Sequence, residues 1–288
     1  MISVSPPIGA STMAPAATVD ILARLMALGR PLVMGILNVT PDSFSDGGVF
    51  FARDAAVDHA GRMIEEGADI IDVGAESTRP YGNAVAVAAD EERRRLEAVL
   101  PAAVSMGRPV SIDTMKAEVA AWALEQGAAI VNDVWGLQRD PDMAGVVARY
   151  RVPVIVMHNR EAADPGIDIM ADMAAFFERS LAIAGRAGVA RDRIVLDPGV
   201  GFGKTPEQSM QAIIRLDRLK SFGLPILVGA SRKRFIDQVV PSPPDYRLGG
   251  SLAAHIVAVE RGAAIIRAHD VAPTVQALRV MAALEAQA

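Results

Sequence analysis

Eight short apolar runs recur along the chain, and they constrain its fold more than any other feature. Each is rich in aliphatic residues, is apolar at consecutive rather than alternate positions, and ends on a polar residue. Such runs are typical of parallel strands that are buried on both faces. In order they are "LVMGILN", "DIIDVGAES", "PVSID", "AIVND", "PVIVMH", "RIVLD", "PILVGAS" and "AIIRAH".

Amphipathic segments separate the runs, among them "DAAVDHAGRMIEEG", "EERRRLEAVLPAAV", "KAEVAAWALEQG" and "FFERSLAIAGRAG", and several end at a glycine. Eight strand–helix units over about 250 residues predict an α/β fold, a (β/α)₈ TIM barrel in a single domain. A doubly wound open sheet is the structural alternative, because periodicity does not report closure. We expect a flexible segment over 1–17, rich in Pro, Ser, Gly and Ala, and the barrel domain over 18–288.

Composition excludes several classes of protein. The formal net charge of -5 gives no electrostatic footprint for a nucleic-acid backbone. With no cysteine and four histidines, a thiolate or multi-histidine metal site is not expected. No apolar run approaches the roughly 20 residues of a membrane span, and the first residues do not resemble a signal peptide. We therefore expect a cytoplasmic protein with no nucleic-acid or membrane partner.

Polar residues concentrate at the carboxyl ends of the predicted strands, where TIM barrels carry their chemistry. For any single residue, a strand simply reaching the surface is the more ordinary explanation. Because polar residues occur at the carboxyl ends of so many strands and rarely at the amino ends, the pattern favours a functional site at the carboxyl end of the barrel. The residues are Asn38, Glu76, Asp113, Asn132, His158, Asp197, Lys233, Arg267 and His269.

Two groups within this rim suggest different ligands. Arg267 and His269 are two residues apart on the last strand, so their side chains share a face and suit a phosphate or diphosphate. The alternative is an arginine that lies along the surface and a histidine that caps the strand. Carboxylates and amides that end other strands suit either a hard cation or the donor-rich edge of a heterocycle. Lys233 would donate to such a ring, or else belong to a solvated basic turn.

Two long segments, "VTPDSFSDGGVFFARD" and "STRPYGNAVAVAADEE", follow the first and second strands. Loops of this length are commonly functional lids, with surface insertions as the alternative.

The stretch "LDPGVGFGKTPE" resembles a phosphate-binding loop at first sight. A Walker A loop has four residues between its first glycine and the Gly-Lys pair, and Pro198 occupies the position of that glycine. Thr205, followed by Pro206 and then by Gln208, instead has the form of an N-cap with a capping-box partner. The stretch therefore predicts a helix start after Asp197, not a nucleotide site.

The whole set of motifs resembles the dihydropteroate synthases, the pterin-binding barrel enzymes of folate biosynthesis and a family of sulfonamide targets. The matching segments run in family order and are "MGILNVTPDSFSDGG", "IDVGAESTRP", "SIDTMK", "IVNDV", "LDPGVGFGKT", "GASRKRFI", "LGGSLAA" and "IIRAHDV". The resemblance implies a transferase that condenses 6-hydroxymethyl-7,8-dihydropterin diphosphate with 4-aminobenzoate, giving 7,8-dihydropteroate and pyrophosphate. It also implies Mg²⁺, departure of the diphosphate before attack by the amine, and a homodimer.

The resemblance assigns roles by matching position. The implied pterin pocket consists of Asp113, Asn132, Met157, Asp197, Phe202 and Lys233. The implied diphosphate site consists of Asn38, Arg267 and His269, with Asn38 as the protein ligand of Mg²⁺. The implied catalytic residues are Asp113, Lys233, Arg267 and His269. The loops expected to close over the aminobenzoate contribute Thr40, Pro41, Asp42, Ser43, Phe44, Ser77, Thr78, Arg79 and Pro80.

Two alternatives remain. A methyltransferase that binds a methylated folate would share the pterin pocket but has no need of "DSFSDGG", "STRP" or the anion site. A pterin-binding paralogue without turnover would keep the same fold and is not distinguished by the sequence.

Overall fold

The eight predicted strands form a parallel barrel in the computed structural model, which describes residues 20–39, 48–76 and 87–287, with the side chains of 48–52 excepted. Hydrogen bonding runs in the order β6-β5-β4-β3-β2-β1-β8-β7. A bridge between Leu196 and Ile226 joins β6 to the residues that lead into β7. This nearly closed ring confirms the TIM barrel over the open sheet. The strands are β1 Leu32–Asn38, β2 Ile70–Gly74, β3 Val110–Asp113, β4 Ile130–Asp133, β5 Val154–Met157, β6 Ile194–Asp197, β7 Leu227–Val228 and β8 Ile265–Ala268.

Helices lie on the outside of the barrel between and after the strands, except the first, which precedes β1 and closes the amino-terminal end. They are α1 Ile21–Met26, α2 Gly48–Glu65, α3 Ala89–Glu97, α4 Leu100–Ser105, α5 Ala117–Glu125, α6 Met143–Tyr150, α7 Ile169–Ala187, α8 Pro206–Ile214, α9 Arg234–Val239, α10 Leu248–Glu260 and α11 Val271–Glu285. Short 3-10 helices occur at Arg191–Arg193, Leu216–Phe222 and Pro244–Tyr246. Within the described ranges, no helix has both the length and the apolarity needed to cross a membrane.

Local signals explain where several helices begin and end. Gly188 ends α7 in the left-handed conformation with φ 83°, as a glycine C-cap does. Thr205 and Gln208 form the predicted capping box of α8. The segment "EERRRLEAVLPAAV", predicted as one helix, is instead two, α3 and α4. Pro101 lies in the first turn of α4, and inside a continuous helix its ring would clash with the preceding turn.

The inside of the barrel is filled in layers. One buried layer is apolar and is closed at the amino-terminal end by Leu22 and Leu25 of α1. Its members on the strands are Leu32, Met34, Ile70, Ile130, Ile155, Val195, Leu227 and Ile265. Because side chains alternate along a strand, the residues two positions further on point into the barrel again, nearer its carboxyl end. These residues are Ile36, Asp72, Asn132, Met157, Asp197, Gly229 and Arg267, so the alternation places a layer of four polar side chains directly above an apolar layer.

Candidate active site

Arg267 lies at the centre of the polar layer and joins two strands across the barrel. Its Nε donates to Asp72 Oδ2 at 2.6 Å, and its Nη2 donates to Asp113 Oδ2 at 2.8 Å. The arginine side chain is 18% exposed, whereas Asp72 is fully buried. Burial raises the pKa of Asp113, and the neighbouring guanidinium opposes that rise. The cation therefore allows two carboxylates to lie inside the barrel.

Asp72 organises this layer, although the sequence analysis did not select it. Its Oδ2 also accepts a hydrogen bond from Asn132 Nδ2 at 3.1 Å. One carboxylate thus orients both the amide of Asn132 and the guanidinium of Arg267. The sequence feature that could have indicated Asp72 is a charged residue inside the apolar run "DIIDVG", two positions after the inward-facing Ile70.

Three buried oxygens in the layer lack a hydrogen-bond partner among the described residues: Asp72 Oδ1, Asp113 Oδ1 and Asn132 Oδ1. Leaving a buried acceptor unpaired costs about 1–3 kcal/mol, so the layer is set to receive N–H or O–H donors. A cation would face repulsion from Arg267, which already pairs with two of the three residues. The arrangement therefore favours the donor-rich edge of a heterocycle over the hard cation.

Asp197 ends β6 on the other side of the barrel. Its Oδ1 accepts a hydrogen bond from the backbone N–H of Gly199 at 2.7 Å. Burial raises the pKa of Asp197 to about 6, while the Gly199 N–H and the charges of Lys233, Arg267 and Lys204 lower it. The carboxylate is therefore a strong acceptor that ionises near neutral pH.

An apolar wall adjoins these polar groups. Val134, Met157 and Phe202 form a buried cluster with Met115 and Trp135 packed against it. Lys233 Nζ lies 4.1 Å from the centre of the Phe202 ring, the geometry of a cation–π contact. An apolar face beside convergent polar groups is the usual composition of a site for a small planar ligand.

The expected anion site lies at the ends of β8 and β1, which are paired in register from Leu32 and Ile265 onwards. The backbone N–H of His269 donates to Ser231 Oγ at 3.2 Å, and His269 Nδ1 lies 3.0 Å from the same oxygen. Asn38 is half-buried at the end of β1.

The two substrate loops are outside the described residues, so the assignments there stay predictions. They are Thr40, Pro41, Asp42, Ser43, Phe44, Ser77, Thr78, Arg79 and Pro80. The residues on either side of the second loop are described. Glu76 Oε1 accepts a hydrogen bond from the backbone N–H of Val87 at 3.0 Å. Lys116 Nζ then binds Glu76 Oε2 at 2.5 Å and Glu92 Oε2 at 2.6 Å. Glu76, expected at the rim, thus joins the two ends of the loop to the start of α5.

Replacing Lys116 with methionine should destabilise the protein by about 3 kcal/mol at pH 7.5, because buried Glu92 loses its cation. Burial raises the pKa of Glu92, and Lys116 lowers it; without the lysine, the carboxyl is protonated in the folded state at higher pH. The stability deficit relative to wild type should therefore shrink as the pH falls. Urea unfolding at pH 7.5 and pH 5 measures both effects, with the exposed Lys220→Met as control. A deficit independent of pH would contradict the ion-pair explanation.

His158 was also expected at the rim and is not there. It is fully buried, with Nε2 3.0 Å from Asp172 Oδ2 and Nδ1 2.7 Å from Lys204 Nζ. The strand ends at Met157, one residue earlier than expected. Because Met157 points into the barrel and side chains alternate along a strand, the side chain of His158 points outward, between barrel and helix. The imidazole therefore packs edge-on against Phe176 and Phe177 of α7 instead of facing the site.

The chain is similar to known pterin-binding enzymes over most of its length. A family profile described as pterin binding enzyme matches residues 34–269. The dihydropteroate synthase of Bacillus subtilis is 44% identical over 256 residues, which cover 88% of this chain and 89% of that protein. A crystal structure of dihydropteroate synthase from Clostridium difficile in the presence of pteroic acid has a TM-score of 0.85 and 47% identity, covering 88% of this chain and 97% of the other. The Xanthomonas albilineans dihydropteroate synthase with 4-aminobenzoic acid gives 0.86 and 45%, covering 90% and 94%.

Proposed function

The chain belongs to the dihydropteroate synthase family of pterin-binding enzymes, and on that premise we propose how its site performs the family's reaction. It is a transferase that joins 6-hydroxymethyl-7,8-dihydropterin diphosphate to 4-aminobenzoate, forming 7,8-dihydropteroate and pyrophosphate. The observation that carries the assignment is the polar layer, in which buried acceptor oxygens lie beside a flat apolar wall.

The pterin binds with its N–H edges towards the polar layer. Asp197 accepts from adjacent donors on the pyrimidine edge, and Asp113 and Asn132 supply the oxygens that lack partners among the described residues. Lys233 donates to a ring carbonyl or nitrogen, and Met157 and Phe202 contact the ring faces. A ligand without these donors leaves the acceptors unsatisfied, so the site discriminates strongly for the cognate edge.

The diphosphate binds at the ends of β8 and β1. His269 donates through Nε2, and Arg267 contributes charge through the guanidinium that also pairs with Asp113. Asn38 supplies one hard oxygen at this end, which suits Mg²⁺ because that ion keeps several waters and takes other oxygens from substrate phosphates. Bound Mg²⁺ would add positive charge against the leaving pyrophosphate.

The carbon–oxygen bond to the diphosphate breaks first, and its electron pair leaves with the pyrophosphate. The methylene carries positive charge that is delocalised into the pterin ring. Ionised Asp113 and Asp197 stabilise that charge, while Arg267 and His269 stabilise the departing anion. The neutral amine of 4-aminobenzoate attacks the methylene carbon and forms the C–N bond, after which one N–H proton passes to solvent. The first and second loops hold the amine in position.

A homodimer and a cytoplasmic location complete the proposal. The last helix, α11, carries Val280 and Leu284 with exposures of 54% and 69%, and apolar residues at these levels suit a helix-mediated interface. Light scattering coupled to size exclusion tests the dimer, and a monomeric wild type would exclude it.

A coupled turnover assay tests the function. With the dihydropterin diphosphate, 4-aminobenzoate and Mg²⁺, the protein should release pyrophosphate and form dihydropteroate only when both substrates are present. Release of pyrophosphate without the amine and without dihydropteroate would exclude the synthase. Pterin binding without turnover would identify the silent paralogue instead.

A further inference from the structure

Lys204 is one of the most deeply buried side chains of the protein, with only 2% of its surface exposed. Its Nζ lies 2.7 Å from His158 Nδ1, 2.9 Å from the carbonyl oxygen of Gly199 and 3.1 Å from that of Phe202. These contacts place the ammonium group directly behind the loop that carries Phe202. Burying a lysine is expensive unless its charge is compensated, so the position needs an explanation beyond helix initiation.

The carbonyl oxygens need this donor because the loop over 198–203 makes successive left-handed turns. Gly199, Gly201 and Gly203 have φ angles of 62°, 83° and 51°, a conformation that glycine adopts without steric cost. A Cβ on Gly199 would overlap the carbonyl oxygen of His158, so the loop is pressed against the end of β5. A chain turned in this way directs carbonyls inward, and buried carbonyls require a donor.

A chain of polar groups links Lys204 to the surface. Burial and the charge of the nearby lysine together lower the pKa of His158 to about 3. The imidazole is therefore neutral, accepts from Lys204 at Nδ1, and donates from Nε2 to Asp172. Asp172 also pairs with Arg160 at 2.8 Å, and both of these side chains are 28% exposed. The carboxylate thus compensates the buried ammonium through one intervening ring.

We propose that Lys204 is a positioning residue for the pterin: it fixes the Phe202 wall from behind and favours the ionised form of Asp197. The inference rests on the proposed function, because it concerns the same pocket. The first part follows from the contacts with the Gly199 and Phe202 carbonyls, which span the loop between Asp197 and the ring-contacting phenylalanine.

The second part follows from the geometry and charges around Asp197, because the Gly199 N–H donates to Asp197 Oδ1 at 2.7 Å while the Gly199 carbonyl oxygen accepts from Lys204 Nζ at 2.9 Å. The positive groups that face it are Lys233 after β7, Arg267 on β8 and Lys204 behind the loop, together with the Gly199 N–H. Lys204 in turn faces Asp197, Asp172, Lys233, Arg160 and the ring of His158. Burial lowers the pKa of Lys204 to about 7, and Asp197 and Asp172 oppose that shift. Lys204 and Asp197 therefore stabilise each other's charged forms.

Steady-state kinetics and calorimetry with the dihydropterin diphosphate, between pH 5 and pH 9, test the proposal on the full chain. Lys204→Met should raise the KM for the pterin substrate about tenfold, the lower end of the effect of losing one hydrogen bond to a charged group. The KM for the amine substrate should change far less. Without the ammonium, the pKa of Asp197 rises, so the acid limb of kcat/KM for the pterin should move to higher pH.

Asp172→Asn provides a second, milder variant, because Asp172 is partly exposed and the amide keeps an acceptor for His158. Losing the carboxylate charge lowers the pKa of Lys204. The alkaline limb of the same profile should therefore move to lower pH, opposite to the limb that Lys204→Met moves. A purely structural lysine would give no such pair of opposite shifts.

Thr205→Ala is the matched control, since it removes the N-cap of α8 beside Lys204 and costs about 1 kcal/mol of stability. It should lower the melting temperature while leaving the pterin KM and the pH profile unchanged. Wild-type pterin KM and an unmoved profile in Lys204→Met would overturn the proposal. If that variant does not fold, an unshifted profile in Asp172→Asn has the same consequence. Failure of the proposed function itself would show separately, as absent turnover in the wild type.

Discussion

Arg267→Met is expected to lower kcat/KM about a thousandfold, the upper range for removing a group that stabilises a developing anion. It should also destabilise the protein by about 3–5 kcal/mol, because breaking a buried ion pair leaves uncompensated charge. Both effects follow from the same geometry, in which the guanidinium pairs with Asp72 and Asp113 at the end of the site where we propose that the diphosphate binds. Pterin binding should weaken as well, since Asp113 loses the partner that holds it.

A double variant separates the two roles of Arg267. Adding Asp72→Asn to Arg267→Met removes one orphaned charge, so the double variant should recover part of the lost stability without recovering activity. Arg30→Met is the matched control: Arg30 makes a bidentate pair with Asp69 at the opposite end of the barrel, and its loss should leave turnover intact. Recovery of turnover in the double variant would contradict a role for Arg267 at the diphosphate.

The strands could be predicted from the sequence because a buried parallel strand requires a continuous apolar run, a purely local property. The boundaries were less accurate. The run "PILVGAS" contributes only Leu227–Val228 to β7, and Pro225 has no N–H to donate to a ladder. Periodicity does not report whether the sheet closes. The closure became visible only in the structure, where β6 pairs with the residues before β7.

The pattern of apolar runs selected polar residues at or next to the carboxyl ends of strands. Asp113 and Asp197 end β3 and β6, and Asn132 and Arg267 lie one residue before the ends of β4 and β8. Asp72 lies in the middle of a strand, and its importance depends on Arg267 and Asn132, which are far away in the sequence. A single sequence carries no signal for such long-range pairing beyond a charged residue in an apolar run.

The position of the Lys204 side chain also depends on long-range contacts that a single sequence does not reveal. The sequence indicated that the residue precedes a helix, which the capping box of Thr205 confirms. Whether the ammonium then points into solvent or behind the loop depends on the distance between the ends of β5 and β6. That distance is set by the barrel, not by the residues adjacent to Lys204.

Asp197→Asn should reduce pterin affinity by about a hundredfold or more, because the amide presents N–H donors to donors on the pterin edge. At pH 8 the same variant should be more stable than the ligand-free wild type. Burial raises the pKa of Asp197 in the folded protein to about 6, above the value of about 3.9 for an unfolded chain. The folded state therefore binds the proton more tightly, and the associated stability is present below about pH 4 and lost as the pH rises through about 6.

The predicted gain at pH 8 is about 1–3 kcal/mol, since a shift of about two pKa units corresponds to at most roughly 3 kcal/mol. Near pH 4 the two proteins should be equally stable, because the carboxyl is then neutral in the folded state. Urea unfolding across this pH range measures the stability, and calorimetry measures pterin binding. Wild-type affinity should fall as the pH drops through about 6, when the carboxylate protonates, whereas the weak binding of the variant should not change there.

A matched variant separates the loss of charge from the loss of an acceptor. Asp133 is another buried carboxyl at a strand end, and burial raises its pKa to about 6, but its oxygens accept the backbone N–H groups of Trp135 and Leu137. Asp133→Asn should remove the same cost of a buried charge at pH 8 but lose one of those two N–H bonds, so its stability should change less than that of Asp197→Asn, and it should keep pterin affinity. Destabilisation of Asp197→Asn at pH 8 would show that the ionised carboxylate stabilises the fold. The proposal that Asp197 is an unsatisfied acceptor for the pterin would then be wrong.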